Sequence, residues 1–407
     1  MRPAERNLRL YPVFQALVFT PVLLPVIVLF WEECGLDLFD VFLLQAIFAV
    51  AVVVLEVPTG MVADRLGKRT SLLLGTATAG LGVAWYGVSS TFVMFLGAEV
   101  ALALGLALLS GADSSLLYDS LKELGRESEY ARLEGRARAM QMLSFAASNI
   151  AGGLIGEHSY RAAVWASGAG PVLAFGIALL LVEVQPRGAR ESLAEAWAGY
   201  RRLLGESLRF VRKHRLVLWY VAFGAVMTGS STWLLWLYQP YMQSAGLPVT
   251  AFGVAFAGFN LFAAAVSSQA SRVQEAAGKR GTLVLLAVLQ IVPPLAMAGF
   301  VHVAGIALIL GHQAARGLVR PLLSQRILAY TYADKRSTVL SLLSMAGRFF
   351  FALTAPFVGL AAREGSLEAG LGLQASLLLV AFVLLAVAFA RIPQKFFAVK
   401  DAVAARQ

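Results

Sequence analysis

The sequence predicts an all-α membrane protein of twelve transmembrane helices in two six-helix halves. Its composition, its apolar blocks and an internal repeat carry that prediction. Of the 407 residues, 58% are hydrophobic and only 14% charged. A soluble domain carries about 25% charged residues, so lipid must solvate much of this surface. The 25 Phe, 11 Tyr and 7 Trp exclude a disordered chain. A single cysteine, Cys34, excludes a disulfide scaffold. The net charge of +10 is spread between apolar blocks, a membrane pattern that argues against a nucleic-acid partner.

A span needs about 20 consecutive, mostly apolar residues. Twelve blocks qualify, at 11–32, 40–63, 71–89, 92–118, 139–157, 161–183, 216–242, 249–271, 281–300, 303–331, 338–360 and 369–391. Block 1 follows Arg2, Arg6 and Arg9 as a signal peptide would. Its length and the lack of a small-x-small cleavage site make it a retained helix. No block alternates with period two, and lipid forbids unpaired backbone, so all twelve are helices and not barrel strands. The one long connection, residues 186–215, repeats Leu193, Trp197, Tyr200, Leu204, Leu208 and Val211 at helical spacing. That stripe predicts a helix lying on the cytoplasmic membrane surface.

Orientation follows from the 34 Lys and Arg residues. Alternate connections and both termini hold 29 of them, the opposite loops only Arg161 and Arg363, and the spans Arg316, Arg320 and Arg348. The positive-inside rule therefore puts both termini in the cytoplasm. A shift of 211 residues lays Gly67-Lys68-Arg69 on Gly278-Lys279-Arg280, Asp64 on Glu275, and Gly35-Leu36 on Gly246-Leu247. The expected organisation is a half at 1–185, a linker at 186–215 and a second half at 216–407. Parallel repeats of this kind bind substrate at midplane and rock around it.

Residues 60–69 read Gly-Met-Val-Ala-Asp-Arg-Leu-Gly-Lys-Arg. Gly60 would let another helix approach closely, and Gly67 supplies a tight turn. With Asp64, Arg65, Lys68 and Arg69, the segment resembles the loop signature between helices 2 and 3 of the major facilitator superfamily. Twelve spans, a long central connection and the half-repeat extend that resemblance over nearly the whole chain. It implies a secondary transporter in which this loop latches one conformation to an acid at the end of helix 4, here Asp119. The plain alternative is positive-inside topology. Helix 5 lacks the proline-containing motif of many antiporters in the family, reading Ala151-Gly152-Gly153-Leu-Ile-Gly156. Where many of its drug exporters carry an arginine on helix 4, this chain has Glu99.

Charges inside a span are costly and mark function. In the family fold helices 1, 4, 7 and 10 line the cavity, and here the lipid-facing spans 3, 6, 9 and 12 carry none through their middles. Intramembrane acids (Glu56, Glu99, Asp113) fall in the first half and bases (Arg316, Arg320, Arg348) in the second. Glu99 and Asp113 should share one face of helix 4, and His312, Arg316 and Arg320 one stripe of helix 10. These groups are read either as salt bridges between the halves or as proton carriers, Glu99 first, facing an anion-binding stripe. Glu56 and Asp113 could equally serve the latch. On helix 7, Thr228, Ser231, Thr232, Trp233, Trp236, Tyr238 and Gln239 suit a bulky organic ligand or an interfacial belt. Asn260 and Gln45 are polar midspan residues.

No catalytic constellation, metal-ligand spacing or nucleotide motif occurs among the four histidines and the loops. The expectation is a monomeric carrier in the plasma (inner) membrane, without cofactor, driven by a proton gradient. Export of amphipathic, drug-like compounds is preferred over uptake of a small organic anion or nutrient. A membrane-embedded enzyme or a receptor is the remote alternative.

Overall fold

The computed structural model describes residues 3–184, 193–332 and 335–393. Arg2, Arg187, Arg190, Lys395, Lys400 and Arg406, which entered the charge count, lie outside the described residues, as do the side chains of Leu193 and Tyr200. Among the described residues every regular element is helical. Among those residues nine segments are long and apolar enough to cross a membrane by length and composition.

In chain order the helices are α1 (Pro3–Val18), α2 (Ile27–Glu33), α3 (Leu38–Leu66), α4 (Lys68–Val88), α5 (Phe92–Leu109), α6 (Ala112–Glu123), α7 (Tyr130–Gly156), α8 (Tyr160–Ser167), α9 (Ala169–Leu180), α10 (Leu193–Lys213), α11 (Arg215–Ser244), α12 (Val249–Ser268), α13 (Ala270–Gly299), α14 (Leu308–Ala329), α15 (Arg336–Glu364) and α16 (Leu367–Ala390). Three blocks expected to be single helices are interrupted. Pro21 and Pro25 lie where the first divides into α1 and α2, as a ring without N–H disrupts a helix ladder. The fourth divides at Ser110-Gly111, where Gly111 takes φ +78°. The sixth divides at Gly168.

Two compact units result. Unit 1 comprises Met1–Leu36, Ile47–Trp197 and Pro248–Gly258; unit 2 comprises Asp37–Ala46, Ala198–Leu247 and Phe259–Gln407. In unit 1, Gly152 and Gly156 of α7 admit the broken stretch Val22–Val26, since a Cβ at Gly152 would strike the Val22 carbonyl. On the same stripe, a Cβ at Gly153 would lie 2.7 Å from the Gly253 nitrogen. Helix backbones meet closely only across residues without side chains. A Cβ at Gly60 would meet open space, so the close approach expected there belongs to Gly152 and Gly153 instead. Unit 2 repeats the device where a Cβ at Gly359 would come within 2.8 Å of Phe42 Cβ.

The glycines matched by the 211-residue shift share one backbone state. Gly35 and Gly246 have φ +85° and +80°, Gly67 and Gly278 +95° and +68°. A residue with a Cβ rarely adopts these angles, which is why glycine stands at both copies.

Candidate functional site

Unit 1 gathers its polar side chains where the fourth block breaks. Asp113 sits in the first turn of α6, where free amide groups favour a carboxylate. Its Oδ1 accepts from the Ser114 N–H at 2.6 Å and its Oδ2 from Gln15 Nε2 of α1. Gln15 also donates to the Tyr11 hydroxyl at 3.0 Å, and Tyr11 donates to Glu134 Oε2 of α7 at 2.7 Å. Arg138 closes the series at 3.0 Å from Glu134 Oε1. Two carboxyl groups on different helices are thus joined through one amide and one phenol. Such a chain ties α1, α6 and α7 together through polar groups inside an apolar bundle.

Glu99 is elsewhere. It is 4% exposed in α5, and its Oε1 accepts from the Tyr86 hydroxyl of α4 at 2.7 Å. The shared face expected for Glu99 and Asp113 does not exist, because the helix that would have carried both ends at Ser110 and restarts after a left-handed glycine. Glu56 is half-buried on α3, where its carbonyl accepts from the Thr59 hydroxyl at 3.2 Å.

The 60–69 loop is pinned from two sides. Lys68 forms an ion pair with Asp119 of α6. Glu183, just past α9, accepts from the Arg69 backbone N–H at 2.8 Å, and Arg69 Nη2 donates to the Leu179 carbonyl at 2.9 Å. A Cβ on Gly67 would collide with the Glu183 carboxylate, so glycine serves both the turn and its cap. Asp64 is exposed and Arg65 half-buried.

Unit 2 divides the stripe expected on α14. His312 is fully buried, accepting from the Tyr238 hydroxyl at Nδ1, with its Nε2 3.4 Å from the Gln290 amide. Gln290 donates on to Ser230 at 2.7 Å. Arg316 and Arg320 are exposed, Arg316 touching Gln313 at 3.4 Å. The correction is one of rotation. Each four-residue step overshoots a full turn by about 40°, so His312 lies inside the bundle while the arginines have turned out of it. Arg348 and Asn260 are half-buried on α15 and α12. Trp233, expected to meet ligand, is fully buried with its ring 5.3 Å from Phe350.

Several partners escaped the sequence reading. Gln15, Tyr11, Glu134 and Gln290 are ordinary polar residues whose role appears only when four helices converge. Asn7 is another: both ends of its amide bond the backbone of Val182, at 2.8 and 2.9 Å, tying α1 to the end of the sixth block. The signal for Gln15 and Tyr11 was their i, i+4 spacing on an apolar helix.

The family model of the Major Facilitator Superfamily matches residues 13–310. Among solved structures, the nucleoside transporter NupG superposes with a TM-score of 0.78 at 12% identity, over 97% of this chain and 100% of that one. A bacterial homologue of the human lysosomal transporter Spinster, inward-facing and unoccupied, gives 0.71 at 16% identity, over 99% and 98%. A D-xylose-proton symporter gives 0.64 at 12%, over 92% and 95%. No curated protein matches the sequence.

Proposed function

The chain belongs to the major facilitator superfamily, and from that premise we propose a proton-coupled carrier for a small organic solute. In this reading it has twelve spans, both termini in the cytoplasm and the plasma membrane as its location. The observation that supports coupling is the Asp113–Gln15–Tyr11–Glu134 chain, which holds a carboxyl group at a helix break. Asp113 is then the proton site. Glu99, packed against Tyr86, holds α4 to α5. A discontinuous helix at a transporter's midplane is the usual place for such a group.

The preferred direction is export of an amphipathic compound, for which the latch-like pairing of Lys68 with Asp119 is the support. The exposed Arg316 and Arg320 favour a second reading, uptake of a small organic anion. The test is reconstitution into liposomes with an imposed pH gradient and a panel of amphipathic cations and organic anions. Gradient-driven accumulation should fall to background in Asp113→Asn, while downhill exchange persists. Coupling that survives this variant would return the assignment to Glu99 or Glu56, or to another ion.

A further inference from the structure

A cavity of about 120 Å³ lies in unit 2, lined by Tyr220, Gln274, Lys279, Gln325, Arg326, Ala329 and Tyr330. Its content of charge is unusual. Arg326 is 8% exposed, and its Nε, Nη1 and Nη2 have no hydrogen-bond partner among the described residues. A buried guanidinium cannot shed its charge, so leaving it uncompensated is costly. Lys279 adds a second cation to the same lining, and the rings of Tyr220 and Tyr330 stack at 6.2 Å to form a wall with two phenol groups.

The internal repeat says what the place is missing. The 211-residue shift that lays Lys68 on Lys279 lays Asp119 on Tyr330. In unit 1 the lysine is neutralised by that aspartate. In unit 2 the acid is gone, a phenol stands in its position, and Arg326 has been added. We propose that this cavity binds a small oxyanion, a phosphate or phosphate ester, whose charge takes the place of the absent carboxylate. At ~30 Å³ per water the cavity has room for about four waters, the size of one tetrahedral anion. It is well below the roughly 300 Å³ at which organic-ligand pockets begin. The anion is either free phosphate or the phosphate of an anionic lipid headgroup. None of its lining residues is assigned above to the proton or the solute.

The test uses the purified full-length carrier. Inorganic phosphate is titrated against its thermal unfolding in zwitterionic detergent, with chloride at matched ionic strength as control. The same melt is taken in phosphate-free phosphatidylcholine vesicles with and without phosphatidylglycerol. Wild type should be stabilised saturably by phosphate, by phosphatidylglycerol, or by both, and the pattern identifies the source. Arg326→Gln and Lys279→Gln should each weaken the response roughly tenfold or more, as loss of a charge-assisted contact requires. Tyr330→Asp restores the unit 1 arrangement and should raise the melting temperature without phosphate while abolishing the response. It also decides the matter if Arg326→Gln does not fold. Asp334→Asn, the acid nearest Arg326 in sequence on the C-terminal side, should respond as wild type. A wild-type protein indifferent to both anions overturns the proposal. So does an undiminished response in Arg326→Gln and Lys279→Gln, or a response that appears only in Asp334→Asn.

Discussion

The loop after α3 and the kink inside α13 are two solutions to one geometric problem. Both place a left-handed glycine before a basic pair, at Gly67-Lys68-Arg69 and Gly278-Lys279-Arg280. Around the first, two carboxylates gather: Asp119 pairs with Lys68, and Glu183 caps the start of α4. Around the second stand Tyr330, Tyr220 and Arg326, which has phenol neighbours and no ion pair among the described residues. The backbone requirement has been kept in both copies and the charge complement has not. Glycine at these positions belongs to the fold, and the side chains around it report what each unit is for.

The same contrast holds deeper in the units. Unit 1 threads carboxyl groups through neutral donors, whereas unit 2 encloses an imidazole between Tyr238 and Gln290 and leaves Arg316 and Arg320 exposed. The largest effect on stability should therefore come from His312→Phe. It removes the ring nitrogen that the Tyr238 hydroxyl meets, while Gln290 keeps its bond to Ser230, so the loss should be about 1–3 kcal/mol. Glu99→Leu removes the carboxylate that accepts from the Tyr86 hydroxyl but also removes a buried carboxyl group, so it should cost less. Denaturant unfolding of the two purified variants gives the ranking. Equal losses would erase the contrast.

Much of this fold was legible because membrane constraints are coarse. Length and apolarity do not depend on which residue touches which. The glycine register of the repeat was legible for the same reason, since a positive φ demands glycine whatever surrounds it. The site was read less well where the reading assumed continuous helices. Glu99 and Asp113 share a face only on an unbroken helix, and nothing in Leu109-Ser110-Gly111 announces the break more loudly than other glycines do. His312 and Arg316 were grouped by spacing alone, which ignores the drift of a 3.6-residue helix. Gly60 was credited with a close contact that Gly152 and Gly153 make, because helix partners are set by tertiary packing.

Arg316 supplies the intermediate effect. Exposed, and bonded only to the neighbouring Gln313 in the geometry above, it has no buried charge to abandon. Arg316→Ala should leave the unfolding free energy within about 0.5 kcal/mol of wild type, as for surface positions generally. Any loss of solute binding in that variant is then a loss of contact with the solute. A drop of several kcal/mol would instead mean that Arg316 is held by an acid, as the salt-bridge reading of the sequence supposed. Arg320→Ala, one turn further along, distinguishes a local contact from a diffuse field.

The sharpest test of the paired loops, on the same small scale, concerns Lys68 and Asp119. Both are partly exposed, the lysine side chain at 22% and the aspartate at 9%. A pair in such a setting contributes on the order of 1 kcal/mol or less. Asp119→Asn should therefore lower stability by no more than about that amount. Lys68→Met should recover part of the loss when combined with it, since the cation is left uncompensated by the first change. In unit 2 the corresponding change has the opposite sign. Lys279→Met removes one of two unneutralised cations, so in phosphate-free medium it should raise stability, by a similarly small amount. Unfolding curves for Asp119→Asn, Lys68→Met, their double variant and Lys279→Met, all in one buffer, make the comparison. If Lys68→Met and Lys279→Met shift stability in the same direction, the two loops are electrostatically alike, and position 330 has not changed the role of its lysine.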